Sequence, residues 1–275
     1  MKTLLAVGCS FTDKKFKSRK YPEMDCSWPK WPELLGKKLG YNVVNRGKAG
    51  SSNELILRTA QDYLAVNKAD MICVLWTEPY RLNIHDVYTA NWLQYLNQDA
   101  YFKHNAKLIT NYTRWEDPSK SLVNYKELIE KLCWKDDHTY VAHEQLRYIH
   151  SLDILGKYYN IPVYHMQGVS LWHRHIYITA GIVLEDEMSK EEIYKKFKLW
   201  LRSLMDSPYF NILDKQNNIW GWPFYEELGG PDYDSRIPLG TSKWPNKTRI
   251  GENDTHPNAY GHEILADKYY ELIHK

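Results

Sequence analysis

Three short segments of this chain hold residue types that together can attack an ester. Gly8-Cys9-Ser10-Phe11-Thr12 puts a hydroxyl in a small-residue turn just after an apolar run. Asn45-Arg46-Gly47-Lys48-Ala49-Gly50-Ser51 is a glycine-rich turn after a second apolar run. Asp254-Thr255-His256-Pro257-Asn258 precedes the last amphipathic stretch. A serine hydroxyl is a poor nucleophile until a base takes its proton, and His256 is the candidate base for Ser10. Asp254 is suited to orient the imidazole and to stabilise its cationic form. Pro257 fits the start of the helix that follows. Backbone amides in the turn after a strand can receive an oxyanion. Taken singly, each signal has an ordinary structural reading. The serine turn reads as a capped helix start, the Asp254/His256 pair as a helix N-cap with a surface histidine, and the glycines as a tight turn. Conjunction and chain order carry the chemical reading.

Hydrophobic spacing defines the elements that must position these segments. Residues 2–7 read as a short buried strand, 13–28 as a loop, and 31–39 as a helix stopped by Gly40. A second strand is expected over 41–45 and a helix over 53–66. Residues 71–76 are apolar throughout, as expected of a central parallel strand. Residues 77–140 read as a large insertion with short helices. A helix over 143–159, a strand over 161–166 and a helix over 189–205 follow, the last with a capping box of Ser189 and Glu192. Residues 206–250 read as loop and about 258–274 as the final helix. The alternation predicts one domain over 1–275, a three-layer α/β/α sandwich with a central parallel sheet of flavodoxin-like kind. The insertions at about 77–140 and 206–250 should lie above the strand C-termini, where ligand sites form in open α/β sheets.

The three blocks, in this order, resemble those of the SGNH or GDSL-type hydrolase superfamily. That family places its serine after the first strand, a glycine after the second, an Asn after the third and an Asp-x-x-His block near the C-terminus. Here Gly8 to Thr12 looks like the first block, with Cys9 where Asp is usual. Gly50 aligns best with the glycine of the second, and Asp254, His256, Pro257, Asn258, Gly261 and His262 look like the last. The resemblance covers roughly residues 1–80 and 250–275, with the strand at 161–166 between them. It implies Ser10 as nucleophile, His256 as base, Asp254 as orienting acid, and the amides of Ser10 and Gly50 as oxyanion donors, with no cofactor and no metal. Two departures stand out. The third block runs Leu75-Trp76-Thr77-Glu78-Pro79-Tyr80-Arg81, with no Asn to donate to the oxyanion. Thr77 is the alternative donor. Glu78 falls near the Asn position and must turn away, most simply to Arg81; these two are the candidate substrate-binding residues, Arg81 for a substrate anion. The second departure is spacing: Asp254 lies two residues before His256, and Asn253 holds the family position three before, so either Asp254 serves by a shifted turn or the site works as a Ser-His pair with weaker orientation.

Composition narrows the function classes. Hydrophobic residues at 43% and charged residues at 25% describe an ordinary globular chain. A formal charge of +2 with dispersed basic residues argues against nucleic-acid and anionic-membrane partners. No stretch approaches the roughly 20 apolar residues of a membrane span. The apolar run before Cys9 is about five residues, short of the roughly 7–15 of a signal peptide. Cys9, Cys26, Cys73 and Cys133 form no CxxC pair and no zinc spacing, so reduced thiols in a cytoplasm-like compartment are expected, with association with a virus particle left open. His165, His173 and His175 lack a carboxylate at metal-ligand spacing, and His262 reads as a surface or packing residue. The 22 Tyr and 11 Trp against 6 Phe favour aromatics with a polar handle. Trp172, Trp220, Trp222 and Trp244 lie in loops over the proposed site, where stacking on sugar rings and packing of an insertion core are both open. The expected activity is hydrolysis of an acyl ester in a small molecule or a glycan, with an O-acetylated glycan preferred. The rival readings are a non-catalytic carbohydrate-binding protein and a structural virus-particle protein of the same fold. The missing Asn and Glu78 favour the first and Ser10 and His256 oppose it, while the second stays open on sequence.

Overall fold

Strand β1 (Thr3–Gly8) is the organising element, with Leu4 to Val7 wholly buried. In the computed structural model, which describes residues 1–77, 81–85, 90–94, 138–168, 202, 205–220, 248–251 and 254–275, β1 pairs in parallel on both sides. Its neighbours are β2 (Asn42–Asn45) and β3 (Met71–Trp76). With β6 (Val163–Gln167) beside β3, the sheet order is β2-β1-β3-β6, parallel throughout. The chain steps outward from β1 to β2 and then returns to the far side of β1. Such a reversal opens a crevice at the C-terminal ends of the two strands it separates, here β1 and β3. The register sets Gly8 beside Leu75 and Trp76 beside Gln167. The chain after each of these three strands therefore emerges at one edge.

Helices cover the sheet in two pairs. α1 (Trp31–Leu39) joins β1 to β2, and α2 (Asn53–Val66) joins β2 to β3 in the opposite direction. Right-handed crossovers that reverse direction put their helices on opposite faces. α1 packs against the final helix, and α2 packs against the long helix α3 (His138–Tyr159). Local chemistry sets the boundaries. Gly40 ends α1 with φ 70°, in the left-handed region that glycine tolerates. The Ser52 hydroxyl caps α2 by accepting from the Leu55 N–H at 3.1 Å.

Several expectations change in detail. Part of the first insertion forms an antiparallel hairpin, β4 (Arg81–His85) with β5 (Ala90–Gln94), where short helices were expected. α3 begins at His138, five residues earlier than its apolar spacing indicates. A short helix α4 (Phe210–Leu213) lies in the stretch read as loop. Near the C-terminus, β7 (Arg249–Gly251) and β8 (Asp254–Pro257) form a second antiparallel pair. Pro257 ends β8 rather than starting the helix. The cap of α5 (Ala259–Ile273) is Asn258, whose side chain accepts from the Gly261 N–H at 3.0 Å. The rest of both insertions, most of the helix expected over 189–205, and Cys133 lie outside the described residues. No helix among the described residues is long and apolar enough to cross a membrane.

Three buried polar side chains in the core have defined partners. Tyr269 stacks on Trp31 at 4.5 Å between ring centroids and donates its hydroxyl to the Val74 carbonyl at 2.7 Å. His165 is wholly buried; its Nδ1 accepts from the Trp76 indole N–H at 3.1 Å, and its Nε2 lies 3.0 Å from Asp153. That engagement gives His165 a packing role, while His173 and His175 lie outside the described residues. His262 is buried at 2% exposure, and its Nδ1 accepts the Trp31 backbone N–H at 3.3 Å. Burial, with the nearby charges of Lys30 and His256, pushes the His262 imidazole down to about 3.

A histidine held neutral in the fold but free to charge when unfolded ties stability to pH. The contribution is complete above the unfolded pKa of about 6.5 and is lost as pH falls toward the folded value. We expect stability to decline below pH 6.5 with a component approaching about 1.4 kcal/mol per pH unit. His262→Asn supplies an acceptor that does not titrate. Denaturant midpoints at pH 7 and pH 5 should differ less in that variant than in the parent protein.

Candidate active site

The turn after β1 can form because Gly8 has no side chain. A Cβ there would stand 2.1 Å from Thr12 Oγ1 and 3.0 Å from the Leu75 carbonyl oxygen. The chain curls back at once, with the N–H groups of Thr12 and Asp13 donating to the Cys9 carbonyl at 2.9 and 3.1 Å. Ser10 sits at the tip of this turn, 7% exposed.

β8 brings the partners of Ser10 from the far end of the chain. In a strand, residues two apart point to the same side. Asp254 and His256 therefore meet directly, and the two-residue spacing suits an extended segment as a three-residue spacing suits a turn. His256 Nδ1 lies 2.5 Å from Asp254 Oδ1, and the His256 backbone N–H donates to the same oxygen at 3.1 Å. His256 Nε2 lies 2.8 Å from Ser10 Oγ. With Nδ1–H turned to the carboxylate, Nε2 is the nitrogen able to accept the Ser10 proton. Burial opposes ionisation of Asp254, but hydrogen bonds from His256 and Ser18 prevail and hold its carboxyl below the usual range. Two aromatic rings brace the imidazole. Phe16 stacks on it at 4.2 Å between centroids, and Phe11 meets it edge-on at 5.0 Å.

The second oxygen of Asp254 accepts from Ser18 Oγ at 2.5 Å. Ser18 is itself buried and takes N–H groups from Tyr21 at 2.9 Å and Lys20 at 3.2 Å. The segment read from sequence as an undistinguished loop thus touches both His256 and Asp254. Nothing in local spacing joins Ser18 to a residue 236 positions away. Only the fold makes them neighbours.

The loop after β2 is bound to the serine turn. Lys48 N–H donates to the Gly8 carbonyl at 3.1 Å, and Ala49 N–H to Asp13 Oδ2 at 2.9 Å. Asn45 reaches the Thr12 carbonyl at 2.8 Å. Gly50 follows with φ 86°, a conformation open to glycine and costly for a bulky residue. At the end of β3, Thr77 is clamped through its backbone. Its N–H donates to Asn53 Oδ1 at 2.8 Å, and its carbonyl accepts from Asn53 at 3.0 Å and Gln167 at 2.8 Å. Gln145 joins this buried cluster through Asn53. The Thr77 hydroxyl is also buried and has no hydrogen-bond partner among the described residues. Asn53, Gln145 and Gln167 are absent from the sequence-derived candidates, because an amide in an amphipathic helix or at a strand end carries no chemical signature. Glu78 lies outside the described residues. Arg81 is placed in β4 by its backbone only, so the expected pairing of the two is not described.

Ser18→Ala removes a hydrogen bond to a buried carboxylate, an interaction worth about 1.5–3 kcal/mol. We expect a stability loss of that size at pH 7, read from chemical denaturation, and less loss in Ser18→Thr. Asp254 is depressed in the fold, so its ionised form contributes above the unfolded pKa of about 3.9 and fades as pH falls below it. The gap between Ser18→Ala and the parent should narrow over that acid range.

No protein-family model matches the chain, and no curated protein matches it. Solved structures do. A lipolytic protein described as of the G-D-S-L family, from Desulfitobacterium hafniense, is similar over 99% of both chains at 9% identity and TM-score 0.44. A catalytic-mutant form of Axe2, an acetylxylan esterase from Geobacillus stearothermophilus, is similar over 99% of this chain and 94% of that one at 14% identity and TM-score 0.45. A protein described as a GDSL-like lipase, from Parabacteroides merdae, is similar over 98% and 94% at 12% identity and TM-score 0.42.

Proposed function

We propose that this chain is a serine-dependent ester hydrolase. The observation that supports it most directly is the hydrogen-bonded series Ser10–His256–Asp254, with 2.8 Å between Ser10 Oγ and His256 Nε2 and 2.5 Å between His256 Nδ1 and Asp254. In this reading Ser10 Oγ attacks the ester carbonyl carbon as His256 takes its proton. Asp254 stabilises the imidazolium that results. The carbonyl oxygen becomes an oxyanion, received by the N–H groups of Ser10 and Gly50 and by the Thr77 hydroxyl. His256 then gives its proton to the departing alcohol. Water, deprotonated by the same imidazole, attacks the acyl-serine and frees the acid. The substrate class is an acyl ester of a small molecule or a glycan. An O-acetylated glycan is preferred, because Tyr and Trp side chains suit half-wet sugar-binding surfaces.

The purified protein should hydrolyse p-nitrophenyl acetate. Ser10→Ala and His256→Ala should each lower turnover by at least about a thousandfold, and the double variant should add little, since the two act as one unit. Turnover that survives Ser10→Ala would contradict the proposal.

Thr77→Val tests the third donor. It keeps the side-chain shape and removes the hydroxyl. Turnover should fall roughly ten- to a thousandfold with KM nearly constant, because the bond strengthens chiefly in the transition state. Stability should hold or rise, because the buried hydroxyl lacks a partner among the described residues of the resting protein. Unchanged turnover would remove Thr77 from the oxyanion site.

A further inference from the structure

We infer that the ester this site takes carries a negative charge, a carboxylate or a phosphate, on its alcohol portion. The inference rests on the hydrolase reading and names its substrate class. It starts from residues 13–20, Asp-Lys-Lys-Phe-Lys-Ser-Arg-Lys, which hold five cations and one carboxylate in a chain whose total charge is +2. Composition alone suggests dispersed charge. That holds for the chain as a whole and fails for this segment.

The segment is fastened to the site by its uncharged members. Phe16 stacks on His256, and Ser18 bonds to Asp254. Successive Cα atoms are about 3.8 Å apart. Lys15, Lys17 and Arg19 are therefore each rooted one residue from a side chain that touches His256 or Asp254. Lys14 and Lys20 flank them, and all five are exposed. Arg46 and Lys48, also exposed, stand on the neighbouring loop that is bonded to the serine turn. Among the described residues none of these seven cations forms an ion pair. The carboxylates of this stretch, Asp13, Glu23 and Asp25, are outnumbered by them. Asp13 accepts backbone N–H groups of Lys15 and Ala49, Asp25 is occupied by Ser27, and Glu23 is exposed beyond them.

Like charges crowded on one rim repel one another, and a surface segment needs no such crowding for solubility. A surface of predominantly one sign concentrates ligands of opposite sign and raises their capture rate by about ten- to a thousandfold. Its reach is the Debye length, about 8 Å at physiological salt, so only charge close to the scissile ester benefits. A charged alcohol portion meets that condition.

The test compares hydrolysis of 4-acetoxybenzoate, 4-acetoxyphenyl phosphate and the neutral 4-acetoxybenzamide. At low salt at least one anionic ester should exceed the amide about tenfold in kcat/KM. The ratio should fall toward one in about 0.5 M sodium chloride. It should also fall in the combined variant Lys14→Gln, Lys15→Gln, Lys17→Gln, Lys20→Gln, each protein being referred to its own rate on the amide. The benzoate and phosphate arms separate the two sources of charge. Equal rates on all three esters would overturn the inference and leave the hydrolase reading standing. Hydrolysis of none would overturn that reading instead. Calorimetry of Ser10→Ala with acetylated oligogalacturonate and acetylated oligoxylan then decides the charge preference on its own: tighter binding of the charged oligomer sustains it, and equal binding rejects it. Salt-sensitive binding of duplex DNA or phosphatidylserine vesicles, without preference among the esters, would reassign the rim to a macromolecular surface and overturn the inference.

Discussion

The carboxylate of Asp254 is the group around which the site must be arranged. A charge at 5% exposure is costly unless hydrogen-bonded and paired. Asp254 meets this condition with three donors: the His256 ring, the His256 backbone and Ser18. Each of these bonds also constrains its donor. The ring bond selects the imidazole tautomer and leaves Nε2 facing Ser10. The Ser18 bond draws residues 13–21 across the imidazole, and this places Phe16 on its face. One satisfied carboxylate thus couples a C-terminal strand, a histidine and an N-terminal loop.

A second constraint comes from the sheet. The reversal between β2 and β3 makes the β1/β3 edge the natural crevice, and the register brings Gly8, Leu75 and Gln167 close to it. The buried amides Asn53, Gln145 and Gln167 then grip the end of β3 at Thr77. Asn53 offers the backbone of Thr77 both an acceptor and a donor, as another strand would. Polar networks of this kind stabilise one arrangement only when every member is satisfied. The Thr77 hydroxyl lies beside this network, buried and with no hydrogen-bond partner among the described residues.

The parts of this arrangement differed in how far they could be read from the sequence. β1 and β3 were legible because a buried parallel strand must be apolar throughout, and α1 and α2 because their caps and apolar spacing are local. Ser10, His256 and Asp254 were legible because their residue types and chain order carry chemistry. Pro257 misled, since proline suits a helix start as well as the end of an edge strand; pairing with β7 decided between them. The β4–β5 hairpin was not legible, because its mixed residues lack a clean period of two. Ser18 and Asn53 were hidden for a different reason: their roles depend on contacts 236 and 24 residues away, which no local pattern encodes. The dispersed charge inferred from composition likewise concealed the basic run at 14–20, whose meaning depends on where Phe16 and Ser18 anchor it.

Activation of Ser10 by His256 is measured most directly by labelling with a fluorophosphonate, which reacts with a serine only when a base has activated it. Mass spectrometry of the intact and digested protein should find one label per chain, on Ser10, with labelling nearly lost in His256→Ala and slowed in Asp254→Ala. A label on another residue, or no label on a folded protein, would contradict the account.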